Sequence, residues 1–202
     1  MNSIGSSAPT LLEQLRTKTK AQHDALESST LLKGLLEESL QLELYADILK
    51  RYFSLLIRFE EQVAGHPGWE FLNRDFESCL KSPILLQDLD YLGVEPEQRM
   101  HPVTSELRFD CSGVPEFMGT LYVIEGSSLG GRVISRKLEQ HLGLTARAGA
   151  AYFNGYGDRT FSNWRDFCQQ LELYGDSIDD PLPIVAAANH AFSTFKQAMS
   201  SE

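Results

Sequence analysis

The chain predicts an all-α protein, folded as a single-domain helical bundle. Apolar residues recur at helical spacing in most segments, cap and stop residues bracket those segments, and neither convincing strand alternation nor an internal repeat is present. With 202 residues, 42% of them hydrophobic, the chain is long enough to bury one sizeable core.

Met1-Asn2-Ser3-Ile4-Gly5-Ser6-Ser7-Ala8-Pro9 lacks the basic region and apolar run of a signal peptide and reads as a flexible leader, leaving 10–202 as the domain. Thr10-Leu11-Leu12-Glu13 forms a capping box, which opens a helix to about Ser28. Leu31 to Glu38 reads as a short helix and Leu40 to Ala64 as a long one, with Leu44, Ile48, Tyr52, Leu55, Leu56, Phe59 and Val63 on its buried side. Gly65-His66-Pro67-Gly68 breaks it. Trp69 to Leu80 and Pro83 to Leu92 read as helices, punctuated by Gly93 and Pro96, while His101 to Ser112 is ambiguous. Pro115 as a first-turn residue and Gly143 as a stop bound a helix of roughly 28 residues, about 40 Å long. Its apolar positions are Phe117, Leu121, Ile124, Leu129, Val133 and Leu138. Arg147 to Phe153 reads as a short helical turn, Ser162 to Tyr174 as a regular helix, and Asp180-Pro181 as the cap of a last helix ending near Met199.

Composition narrows the function. The net charge of −10 argues against nucleic acid as a partner, since phosphate binding depends on Lys and Arg. Cys79, Cys111 and Cys168 are odd in number and scattered, with no CxxC, which favours a reducing, cytoplasmic setting. No run of 18 apolar residues predicts a membrane span.

Inside the long helix lies Gly126-Ser127-Ser128-Leu129-Gly130-Gly131. Each interior glycine costs about 1 kcal/mol relative to alanine and gives the helix freedom to kink. Something must therefore press on that backbone, either a second helix or a flat ligand. A phosphate loop is excluded, because no strand precedes the motif and no Lys-Ser/Thr follows it.

The N-terminal helix carries a second feature. At 100° per residue, Arg16, Lys20 and His23 project from one narrow stripe, with Leu12 beside them. A histidine with two cations toward one end of its face suits an iron porphyrin lying against the helix, the imidazole on the metal and the cations on the propionates. The plainer alternatives are a hydrogen-bonded edge histidine and solvated surface charge.

Together the two motifs resemble the heme oxygenase family, in particular its soluble bacterial, biliverdin-producing branch that supplies phytochromes. Leu15-Arg16-Thr17-Lys18-Thr19-Lys20-Ala21-Gln22-His23-Asp24-Ala25-Leu26-Glu27 is similar to the family's proximal helix, and Thr120-Leu121-Tyr122-Val123-Ile124-Glu125-Gly126-Ser127-Ser128-Leu129-Gly130-Gly131 to its distal helix. The resemblance implies a helical bundle of the heme oxygenase type, with heme b as both cofactor and substrate. It implies His23 as axial iron ligand, a distal pocket of Gly126, Ser127 and Gly130, Gly131 among the heme-binding residues, and Arg16 and Lys20 on the propionates. Arg165 and Arg132 are further propionate candidates that solvent would serve equally well. The family often has aspartate where this chain has Ser127; a hydroxyl anchors water without charge, which puts proton delivery in question. The implied reaction consumes dioxygen and external electrons and yields biliverdin, carbon monoxide and ferrous iron. Implied partners are an acidic electron donor such as a ferredoxin, or another reductase, and a bacterial phytochrome as biliverdin acceptor. Arg16, Lys18 and Lys20, with Arg132, Arg136 and Lys137, form the cationic clusters such a donor would meet.

Rival chemistries find less support. A carboxylate-bridged di-iron site needs Glu-x-x-His pairs, and none is present: Glu139 is two residues before His141, and His66, His101 and His190 have no glutamate three residues earlier. No His/Cys spacing suits zinc, and no cysteine adjoins a histidine. A non-catalytic heme-binding or heme-trafficking protein on the same scaffold, and an interaction module whose glycines pack on a helix, are the remaining readings.

Overall fold

The computed structural model describes residues 9–200, so all but Pro9 of the expected leader lies outside the described residues. Eight helices follow in order: α1 (Leu11–Glu27), α2 (Thr30–Gly34), α3 (Leu42–Val63), α4 (Ser82–Tyr91), α5 (Val114–Leu142), α6 (Ala151–Asn154), α7 (Thr160–Asp176) and α8 (Leu182–Ala198). Among the described residues there is no strand, only isolated bridges from Thr145 to Ala148 and Gly149. None of these helices is long and apolar enough to cross a membrane.

The capping box of α1 is complete: Thr10 Oγ1 accepts from the Glu13 N–H at 3.3 Å, and Glu13 Oε2 accepts from the Thr10 N–H at 2.9 Å. A second anchor comes from far along the chain, since the Glu172 carboxylate of α7 accepts from the N–H groups of Leu11 and Leu12 at 3.2 and 2.9 Å. These first-turn amides have no partner within the helix, so a carboxylate there satisfies them and opposes the helix dipole. Leu11, Leu15 and Thr19 form the buried stripe of α1, which packs on α8 and α7.

Helix α5 runs unbroken for 29 residues and stops at Gly143, whose φ of 67° is the left-handed conformation that favours glycine. One close approach of α5 to another element escapes sequence reading. A Cβ on Gly119 would lie 2.0 Å from the Ile184 carbonyl oxygen, so only glycine lets α5 and α8 cross at that distance. Around this crossing sit Phe117, Met118, Leu121, Ile184, Ala188 and Ala191, all essentially inaccessible.

Four expectations change. Residues 69–80 are not one helix but two 3-10 turns, Pro67–Phe71 and Phe76–Cys79, and the break between them lets Arg74 turn inward to Glu125. Helix α2 ends at Gly34, short of the expected Glu38. The turn expected at Arg147 to Phe153 is instead α6, nucleated where the buried Asp88 carboxylate accepts from the N–H groups of Ala151 and Tyr152 at 2.9 and 2.8 Å. Val133, expected on the apolar side of α5, is 56% exposed.

Candidate functional site

Two arcs divide the glycine-bearing stretch of α5. Glu125, Ser128 and Gly131 recur every three residues on a packed arc. Gly131 meets the chain of α6 there, as a Cβ would stand 2.5 Å from the Phe153 carbonyl oxygen. Ser127, Gly130 and Val133 occupy an exposed arc. Around Gly130 a Cβ would meet nothing within 4 Å, and at Gly126 it would meet the Trp164 ring at 3.3 Å. The glycines thus have different tasks: Gly131 is required by close packing of this chain on itself, whereas Gly130 leaves bare backbone facing open space.

Ser127 also stands on the exposed arc, but its hydroxyl donates back to the Ile124 carbonyl at 2.7 Å. It retains acceptor capacity there and brings no charge. Beneath it the Tyr152 phenol is held well above its ordinary pKa by burial, with Ser127 partly offsetting that effect.

On α1, His23 sits at the rim of the buried stripe, its ring edge-on to Phe192 of α8 with centroids 5.6 Å apart. Its side chain is 49% exposed, with Nδ1 3.6 Å from Asp24 and Nε2 3.6 Å from Glu27. Ligating atoms of His23, Asp24 and Glu27 lie within 4.8 Å of one another. An imidazole that gives one nitrogen to a metal ordinarily donates the other N–H to such a carboxylate, which fixes the ring's orientation. Lys20 pairs with Asp24 at 2.7 Å, and that contact holds the Asp24 carboxyl below the usual carboxylate range. Arg16 is exposed on the same stripe. Arg165 is exposed on α7, next to Trp164. Arg132 holds its guanidinium over the Phe161 ring at 5.3 Å.

The cysteines offer no nucleophile. Burial pushes the Cys111 thiol up to about 12 and Cys168 to about 11, so both are protonated at neutral pH.

An imidazole thus stands at the edge of α1 and backbone is left bare on α5, and both helices pack on α8. Comparison with known proteins decides the family. The heme oxygenase family model matches residues 9–201. This chain belongs to the heme oxygenase family. A heme oxygenase of Xanthomonas campestris pv. campestris is 31% identical over 178 residues, covering 85% of this chain and 98% of its own. Among solved structures, the heme oxygenase of Leptospira interrogans superposes with a TM-score of 0.75 at 18% identity, over 95% of this chain and 98% of that one. The NO- and CO-bound heme oxygenase of Neisseria meningitidis gives 0.75 at 21% identity, over 95% and 91%. Heme oxygenase-1 of Synechocystis, solved in complex with heme, gives 0.74 at 18%, over 94% and 90%. The chain is therefore an all-α enzyme of a heme-degrading family.

Sequence reading missed Trp164, which lies against Gly126, and the buried Glu125, whose partners come from three other segments. A helical glutamate next to glycines looks like surface charge until its neighbours are placed.

Proposed function

We propose that residues 10–202 act as one domain that converts heme to biliverdin, carbon monoxide and ferrous iron with dioxygen and external electrons. The carrying observation is the pairing of His23, set against Phe192 with carboxylates beside both ring nitrogens, with the bare backbone of Gly130. Bound heme supplies the redox-active iron and the meso carbon at which the ring opens. His23 would hold the iron as a neutral ligand, its other ring N–H donating a hydrogen bond to Glu27 or Asp24. Arg16, Lys20 and Arg165 orient the propionates by charge-assisted hydrogen bonds. Gly126 and Gly130 keep side chains out of the space beside the iron, and Ser127 anchors ordered water there. Gly131 supports this surface from the packed arc, while Arg132 reaches a propionate only by leaving Phe161.

External electrons come from an acidic donor of the ferredoxin kind or another reductase, by complementarity to Arg16, Lys18, Lys20, Arg136 and Lys137. A cytoplasmic setting and a phytochrome as biliverdin acceptor belong to the same proposal; the latter rests on the resemblance of the two motifs to the bacterial branch. The uncharged Ser127, its hydroxyl turned to Ile124, favours one second reading, a heme carrier that leaves the ring intact.

One experiment separates them. Adding one equivalent of hemin and then a reductant in air, with catalase present, is expected to replace the Soret band with biliverdin absorption and release carbon monoxide. A Soret band that survives several donors would establish the carrier instead.

A further inference from the structure

We propose that Glu125, gripped by Arg74, Lys81 and Tyr156, is the positioning residue that sets where Gly126 and Ser127 stand beside a bound porphyrin. The inference rests on the heme-binding reading above and concerns residues which that reading does not use.

Glu125 is 1% exposed, immediately before the first glycine of the cluster. A buried carboxylate persists only when paired and hydrogen-bonded on all sides, and this one is. Arg74 Nη1 reaches Oε2 at 2.9 Å and Lys81 Nζ reaches Oε1 at 3.0 Å. The Tyr156 hydroxyl donates to the same carboxylate, 3.1 Å from Oε1 and 3.0 Å from Oε2, while accepting from Lys81 Nζ at 2.6 Å. Burial beside Glu125 raises the Tyr156 pKa, so the phenol stays a donor. Lys81 is itself fixed from α3, because the buried Glu60 accepts from the Lys81 and Ser82 N–H groups at 2.5 and 3.0 Å.

The cluster holds both walls that meet at Gly126. On one side, the segment 153–156 lies along the packed arc of α5: Tyr156 bonds Glu125, a Cβ on Gly155 would stand 3.4 Å from the Ser128 Cβ, and one on Gly131 would stand 2.5 Å from the Phe153 carbonyl oxygen. On the other, Arg74 Nη2 donates to the Asn163 carbonyl at 2.8 Å, and the next residue, Trp164, is the one whose ring covers Gly126. Glycines make this stretch of α5 the softest part of the helix. A rigid charged tether at its first residue supplies the stiffness that the glycines remove.

The test compares wild type, Glu125→Gln and Tyr156→Phe, each reconstituted with hemin. Its readouts are the Soret titration, the C–O stretching band of the ferrous carbon monoxide complex, the biliverdin isomer ratio, and melting of the hemin-free proteins. The expected result is hemin affinity within twofold of wild type and an unchanged Soret position, with a shifted or broadened C–O band and an isomer ratio altered at least twofold. Where Glu125→Gln fails to fold, Tyr156→Phe, which leaves both ion pairs, decides by the same readouts. Variants that melt lower yet keep the wild-type band and isomer ratio would overturn the inference and leave the heme-binding reading standing. Failure of wild type to bind hemin would overturn both.

Discussion

His66 shows how a single residue couples to pH. Its Nδ1 accepts from the Gly68 N–H at 3.0 Å, and its ring stacks on Phe117 at 4.6 Å. Burial lowers its pKa below the ordinary 6.5, against the opposing effect of a bond to the Cys111 backbone. The unfolded chain therefore binds a proton that the folded chain resists, so this residue's contribution to stability is full above 6.5 and is lost as pH falls through that value toward the folded pKa. Melting temperature should drop between pH 7 and pH 5.5 in wild type, with a shallower drop in His66→Gln; equal slopes would contradict the assignment. At this scale the sequence was legible where helical spacing alone decides placement, since Arg16, Lys20 and His23 do stand exposed along α1. It was illegible for Glu125, Asp88 and Trp164, whose roles depend on partners brought together only by folding.

Helix boundaries followed local chemistry closely. Thr10 and Glu13 start α1, and Gly143 ends α5, because caps are satisfied by residues within a turn. Where the deciding contact is distant, the reading failed: residues 69–80 are split by the reach of Arg74 to Glu125. Gly119 belongs to the same class, since nothing near it in sequence marks the Ile184 carbonyl above it. Gly119→Ala should force α5 and α8 apart, costing about 2 kcal/mol as overpacking does and lowering the melting temperature by roughly 4–8 °C for a chain of this size. An unchanged melting temperature would show that the helices can separate freely.

For the whole molecule, charge distribution matters more than its sum. Against a net charge of −10, Arg136 on α5 and Arg16 and Lys18 on α1 are exposed cations, while Lys20 is paired with Asp24. An acidic protein donor would be steered there, and the steering should weaken with salt. Reversing Arg136 and Lys137 to glutamate should slow turnover with ferredoxin, about tenfold at low salt given the range of such effects, and leave turnover with a small chemical reductant unchanged. Equal effects on both reductants would refute docking at that face. The bundle itself was legible because helical periodicity is local, whereas the two arcs of α5 became visible only once α6, α7 and α8 had been packed around it.

The central claim is that His23 on α1 holds heme iron, and a hemin titration of wild type against His23→Ala tests it most directly. Wild type is expected to give a one-to-one Soret band with an imidazole-ligated spectrum, and His23→Ala to lose that spectrum while its circular dichroism remains helical. An imidazole-ligated spectrum that persists in folded His23→Ala would contradict the account.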